Sequence, residues 1–318
     1  MHETNVEVLV SEVGPRDGLQ NARGVMSTAH KLQWIRAAAA CGIREVEVCS
    51  FVPPTLVKGM ADAAEVVREA RTIDGLTVAA LAPNLRGAEN AMAAGVHKVT
   101  LPVSVSEKHS LANVRKTRAQ MIEESRCVCA LRDAQAPDNR PLIEGGLSTA
   151  FGCSIEGKIS EDDVVRMAEA LVDAGCDEVA LADTAGYANP VQIKRVIARV
   201  RDAIGARLSG VHLHNTLGLG LANAMAAYEA GIRTFDASQA GLGGCPFAPG
   251  ASGNIVTEDL VFMFESAGIS TGIDLEGLLA IRKILRDALP EDELYGYVPD
   301  AGLPPWFTQA ATTTRSLP

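Results

Sequence analysis

Aromatic side chains are scarce in this 318-residue chain, at 4%, although 47% of its residues are hydrophobic. Its interior must therefore be packed from Ala, Val, Leu and Gly, as in an α/β protein; an all-β sandwich would carry more aromatics and Thr. No unbroken apolar run approaches membrane-spanning length, so no membrane is expected. Positive charge is also lacking. A net charge of -10 disfavours nucleic acid and anionic membranes as partners, and an anionic small ligand would need a local basic pocket. The seven cysteines are odd in number, and none lie in C-x-x-C spacing, which excludes a disulfide framework or zinc ribbon. No basic segment followed by an apolar one opens the chain, so a cytoplasmic setting is expected. With only 21% charged residues, the composition is also too apolar for a disordered chain.

What is present is a weak internal repeat. A helix-like stretch ends in a small residue and Gly, and a β-prone run follows, at Cys41-Gly42, Ala94-Gly95, Ala174-Gly175 and Ala230-Gly231. Glycine suits this helix end because it accepts the left-handed conformation. The remaining apolar runs complete eight expected strands: Val6 to Val13, Glu45 to Cys49, Thr77 to Leu81, Lys98 to Val103, Leu147 to Phe151, Glu178 to Ala182, Ser209 to Leu213 and Thr234 to Ser238. Helical periodicity separates them, as in Thr28 to Cys41, Leu56 to Arg71, Glu161 to Ala174 and Pro190 to Ile204. This alternation predicts one (β/α)8 TIM barrel. Helices at Ile255 to Ser266 and Leu275 to Leu289 would close a single domain over residues 1–290, with an irregular tail over 291–318. A Rossmann-like sheet is the alternative, but its G-x-G-x-x-G fingerprint is missing; the first turn reads Gly14-Pro15-Arg16-Asp17-Gly18.

In such barrels the chemistry sits at the C-terminal ends of the strands. Arg16 and Asp17 leave the first strand, Glu47 lies in the second, Asn84 follows the third, Asp183-Thr184 ends the sixth and His212-Leu213-His214 lies at the seventh. Residues two apart on a strand point the same way, so both imidazoles project together, either as metal ligands or as a buried hydrogen-bonded pair. Asp17 can complete an N,N,O set or cap a helix. Glu47 is a carboxylate inside an apolar strand and must meet a partner such as Arg16 or a ligand histidine. Asp183 before Thr184 and Gly186 also has the chemistry of a turn. The glycine-rich stretch Gly241 to Asn254 has the freedom of an active-site lid; it carries Cys245 and ends in Asn254, a helix cap or a metal ligand.

These points share a resemblance. G-P-R-D-G-L-Q-N from Gly14, Ser50-Phe51-Val52, Glu156-Gly157-Lys158-Ile159-Ser160, Asp183-Thr184, His212-x-His214 and the Gly241–Asn254 stretch are similar to the 3-hydroxy-3-methylglutaryl-CoA lyase family from about Val8 to Leu285. The resemblance implies a divalent metal, Mg²⁺ or Mn²⁺, held by Asp17, His212, His214 and Asn254. It implies catalytic roles for Arg16, His212 and Cys245 with support from Glu47 and Asp183, and substrate contacts from Arg16, Gln20, Asn21, Asn84 and Thr184. His212 is the expected acid toward the enolate carbon, with Cys245 the alternative. Arg23, Lys58 and Lys108 are candidates for the CoA phosphates, and a homo-oligomer, dimer or tetramer, is expected.

The chain also departs from the pattern. Asn215 stands where relatives usually have Asp, Ala22 where they have Glu and Ser154 where they have Pro, and Ser104 to His109 differs from the animal enzymes. These departures leave the acyl group open, so a lyase for another branched 3-hydroxyacyl-CoA such as citramalyl-CoA is the alternative. A condensing synthase of the wider superfamily and a CoA-ester-binding scaffold without turnover are the remaining readings.

Overall fold

The computed structural model describes residues 6–243 and 253–309. Eight parallel strands close into a barrel in chain order: β1 Leu9–Glu12, β2 Glu45–Ser50, β3 Thr77–Leu81, β4 Lys98–Ser104, β5 Leu142–Ser148, β6 Glu178–Asp183, β7 Leu208–Leu213 and β8 Thr234–Ala237. The chain is a TIM barrel, with β8 paired to β1 from Leu9↔Thr234 to Glu12↔Ala237. A short turn α1 Leu19–Asn21 follows β1. The outer ring is α2 Thr28–Ala40, α3 Ala63–Ala70, α4 Leu85–Ala94, α5 Glu107–Val114, α6 Arg118–Asp133, α7 Glu161–Asp173, α8 Pro190–Ile204 and α9 Gly220–Glu229. Then come α10 Thr257–Ser266, α11 Leu275–Ala288 and α12 Tyr297–Ala301. No described helix is long and apolar enough to cross a membrane.

The repeat is explained by backbone geometry. Gly42, Gly95, Gly175 and Gly231 all take positive φ, at 102°, 89°, 103° and 93°. A side chain at Gly42 would also meet the Gly272 carbonyl at 2.3 Å, so this helix end packs directly on the backbone before α11. Val46, Val99, Leu101, Val179 and Leu181 are buried and point outward under the helices, since Glu45, Lys98 and Glu178 beside them on their strands meet inside the barrel. Their strand neighbours point into the barrel, where the side chains are unusually polar. Lys98 reaches Glu45 at 3.2 Å and Glu144 at 2.9 Å across the floor.

Three expectations differ from the structure. The fifth strand is Leu142–Ser148, earlier than Leu147 to Phe151, because Glu144-Gly145-Gly146 conceals it: Glu144 faces Lys98, while a Cβ at Gly145 would meet Leu171 at 2.7 Å. The stretch Leu56 to Arg71 divides into a turn at Lys58–Met60 and α3. The tail expected to be irregular contains α12, whose first two N–H groups, of Tyr297 and Val298, donate to the Asp259 carboxylate at 2.9 and 2.8 Å. That carboxylate caps the helix from α10, and Pro299 is tolerated because it lies in the first turn.

Candidate active site

The turn leaving β1 carries the first two site residues. Pro15 starts a tight helical turn, Gly14–Gly18, in which the N–H groups of Arg16 and Asp17 both donate to the Val13 carbonyl. A Cβ on Gly14 would lie 2.5 Å from Glu12 Oε1 and 2.6 Å from the Trp34 ring, so the turn is pressed onto its support. Arg16 Nε donates to Glu47 Oε2, and its Nη1 donates to Asp17 Oδ1 at 2.5 Å. Glu47 is therefore the buried carboxylate that meets Arg16. Burial raises its pKa despite the guanidinium, and its Oε1 is buried without a hydrogen-bond partner.

Across the β8 neighbour, β7 contributes the imidazoles. His212 and His214 project the same way, with their Nε2 atoms 3.1 Å apart. His212 Nε2 is 4.0 Å from Asp17 Oδ2, and one donor atom from each of Asp17, His212 and His214 lies within 4.8 Å of the others. Two ring nitrogens facing each other beside a carboxylate form a donor set that fits a cation better than it fits its own lone pairs. His214 Nδ1 is buried and unpartnered, and burial together with His212 pushes that imidazole down to about 3, so it is neutral and free to offer a lone pair. Burial opposes ionisation of Asp17, but Arg16, His212, His214 and Asn254 hold its carboxyl well below the usual range.

Asp236, on β8, was missed in the sequence. Its carboxylate accepts from His212 Nδ1 at 3.1 Å, which aims Nε2 toward Asp17 and His214. Burial lowers the His212 pKa, but Asp236 and Asp17 outweigh it and the net shift is upward. The available signal was the alternation Phe235-Asp236-Ala237, the same pattern that exposed Glu47 in Val46-Glu47-Val48. Glu12 was missed too. It accepts from the N–H groups of Gly14 at 2.8 Å and Gln239 at 2.9 Å, tying the exit of β1 to the exit of β8.

The other expected site residues fall in different places. Asn254 pairs with His214 through a backbone bridge and donates its amide to Asp17 Oδ2 at 2.6 Å, so here its nitrogen, rather than its oxygen, faces the triad. Gln20 accepts from Ser50 at 3.3 Å, and Asn21 donates to the Asp17 carbonyl at 3.1 Å. Thr184 Oγ1 accepts from Thr149 N–H at 2.8 Å. Asp183 accepts from the Tyr187 and Ala188 N–H groups, both at 3.0 Å, the turn role that its sequence allowed, and its charge is felt by His212. Burial pushes the Asp183 carboxyl up to about 6, against those donors. Asn84 likewise caps α4 by accepting from Gly87 N–H at 2.9 Å. Cys245 lies outside the described residues. Among the proposed phosphate-binding cations, Arg23 and Lys108 have backbone N–H contacts to Asp292 and Glu156, and Lys58 lies in the turn before α3.

The profile of the HMGL-like family matches residues 7–285. The chain belongs to the HMGL-like family. It is 38% identical over 283 residues to hydroxymethylglutaryl-CoA lyase YngG of Bacillus subtilis, covering 89% of this chain and 93% of the relative. It is 41% identical over 286 residues to (R)-citramalyl-CoA lyase of Chloroflexus aurantiacus, covering 86% and 88%. Among solved structures, an HMG-CoA lyase from Acinetobacter baumannii in complex with coenzyme A and 3-methylmalate matches with a TM-score of 0.87 and 39% identity, over 97% of this chain and 99% of that one.

Proposed function

We propose that this family member is a metal-dependent carbon–carbon lyase that cleaves 3-hydroxy-3-methylglutaryl-CoA to acetoacetate and acetyl-CoA. The observation that carries the reading is the Asp17–His212–His214 triad beside an Arg16 guanidinium fixed by Glu47, at the mouth of an HMGL-like barrel. Asp17, His212 and His214 would hold Mg²⁺ or Mn²⁺, with Asn254 joining through the other face of its amide. When bound, the cation supplies Lewis acidity toward the substrate hydroxyl and carboxylate oxygens.

The chain's own residues supply the rest. Arg16, held on two sides, presents its remaining N–H donors to the enolate oxygen that develops when the C2–C3 bond breaks; such fixed donors supply several kcal/mol in a dry site. Glu47 prevents the guanidinium from turning away. Asp236 keeps His212 in the tautomer with Nδ1–H, leaving Nε2 for the triad. This arrangement counts against His212 as the acid: one ring nitrogen is committed to Asp236 and the other to the metal set. Cys245 then becomes the stronger of the two sequence candidates for returning the proton to the enolate carbon. A cytoplasmic setting belongs to this reading, supported by six described cysteines that are all free thiols.

The 41% identity to a citramalyl-CoA lyase supports a second reading, the same retro-Claisen cleavage of a substrate one methylene shorter. Purified protein with Mg²⁺ or Mn²⁺ should release acetyl-CoA from 3-hydroxy-3-methylglutaryl-CoA and lose that activity on chelation. A higher kcat/KM for citramalyl-CoA would exchange the two readings, and release of acetyl-CoA from neither would reject both.

A further inference from the structure

The wall opposite the triad has its own construction. In the closed ring, β4 and β5 stand across from β8 and β1. Lys98 points inward on β4, so alternation turns Thr100, Pro102 and finally Ser104 inward, with Ser104 at the mouth. Ser104 is only 2% exposed, and its hydroxyl lies 2.7 Å from Nδ1 of His109, which folds back from α5. Burial lowers the pKa of the half-buried His109, keeping the ring neutral.

The support for this pair is rigid. The His109 N–H donates to Ser106 Oγ at 3.0 Å, and that hydroxyl donates to Glu156 at 2.5 Å. The Ser106 N–H donates to Thr149 Oγ1 at 3.1 Å, and Thr149 is a β-branched residue held at φ 60°. Positive φ in such a residue is strained and persists only where its surroundings enforce it. The same two connections, after β4 and β5, expose Leu111 at 47% and Ile155 at 48%.

The carbinol carbon of the substrate is tetrahedral. Its hydroxyl and carboxylate-bearing arm belong with the triad, and its thioester arm with Arg16. The fourth substituent, a methyl group in the 3-methylglutaryl ester, is left to face the far wall. We propose that the Ser104–His109 pair is the specificity-determining contact for that substituent, with the imidazole limiting its length and Leu111 and Ile155 forming the apolar surface beyond. This inference rests on the acyl-CoA lyase reading and extends it to a class of substrates, 3-hydroxy-3-alkylglutaryl-CoA esters of varying alkyl length. Ser104 acts through His109 and is a positioning residue.

The test is kcat and KM for 3-hydroxy-3-methylglutaryl-CoA and its 3-butyl homologue, in metal-loaded wild type, His109→Ala, Ser104→Ala and the double variant. His109→Ala should raise the kcat/KM ratio of butyl to methyl ester about tenfold, the scale on which a pocket discriminates small apolar increments. Ser104→Ala should shift the ratio the same way by less, and add nothing to His109→Ala. Should His109→Ala lose its fold by circular dichroism, His109→Asn removes the outer ring while its amide still meets Ser104, and the same shift is expected. An unmoved ratio in an active enzyme, or an equal loss for both esters, overturns the inference alone; a wild type that cleaves neither ester overturns the lyase reading and the inference with it.

Discussion

The two halves of the barrel mouth are made of different chemistry. On the β7–β8–β1–β2 side, three carboxyl groups, Asp17, Glu47 and Asp236, surround one guanidinium and two imidazoles. On the β4–β5–β6 side the contacts at the mouth are made mostly by Ser104, Ser106, Thr149 and Thr184 hydroxyls with a neutral His109, and the carboxylates there, Glu156 and Asp183, are taken up by Ser106 and the Lys108 N–H and by the N–H groups of Tyr187 and Ala188. A site that must hold a cation and an incipient enolate needs concentrated charge whose geometry is fixed before substrate arrives. A site that must choose among acyl groups gains nothing from charge there and needs shape. The division between halves is thus a division between reaction and selection, and it predicts that substitutions on the two sides fail differently.

The largest effect should come from the charged half. Asp17→Ala removes the only carboxylate of the triad and leaves Arg16 with Glu47 alone. Metal content of the purified protein should fall to background and kcat by about 10³-fold, equivalent to roughly 4 kcal/mol of barrier. Retained metal, measured by elemental analysis, would show that the coordination set is wrong.

Much of this half was legible in the sequence. G-P-R-D-G placed Arg16 and Asp17, and H-x-H placed both imidazoles, because period-two strands and tight turns are local geometry. What could not be read was set by distant pairing. The alternation Phe235-Asp236-Ala237 marks Asp236 as set apart in its strand, but its partner emerges only when the β7–β8 register puts it opposite His212. The turn chemistry at Asp183 and the cap at Asn84 were local and readable, and both stand beside the mouth, where the family resemblance gave Asp183 a supporting catalytic role and Asn84 a substrate contact. The fifth strand was hidden by Glu144, whose partner Lys98 lies on another strand. The neutral half was the least legible, since serine and threonine at strand ends are also ordinary cap residues.

A smaller loss should follow from Asp236→Asn. The amide keeps the shape but holds His212 without the charge, and it can offer its NH₂ instead of an acceptor. Partners of this kind alter metal affinity by about 10- to 100-fold. Weaker metal binding in a titration, with near-normal kcat at saturating metal, is the expected result; an unchanged Kd would mean that His212 is oriented by the barrel alone.

The smallest effect concerns how the charged half is held together. Glu12 joins the exits of β1 and β8, and burial pushes its carboxyl up to about 8, assisted by Glu258 and opposed by donors from Gln239, Thr257 and Gly14. An acid whose pKa is higher folded than unfolded contributes stability that is complete below the unfolded value, near 4.5, and is lost as pH rises through about 8. The ceiling is about 1.4 kcal/mol for each pH unit between those values. Thr257 Oγ1 lies 2.7 Å from Glu12 Oε2, and a hydroxyl accepts as readily as it donates, so the amide of Glu12→Gln can replace the protonated carboxyl. Thermal melts should therefore show Tm falling between about pH 4.5 and about pH 8 more steeply in wild type than in Glu12→Gln, with the two closest at the acid end and no further divergence above about 8. Parallel slopes would mean that Glu12 stays ionised on its three donors, and that the charged half is tied together by hydrogen bonds to a carboxylate rather than by a retained proton.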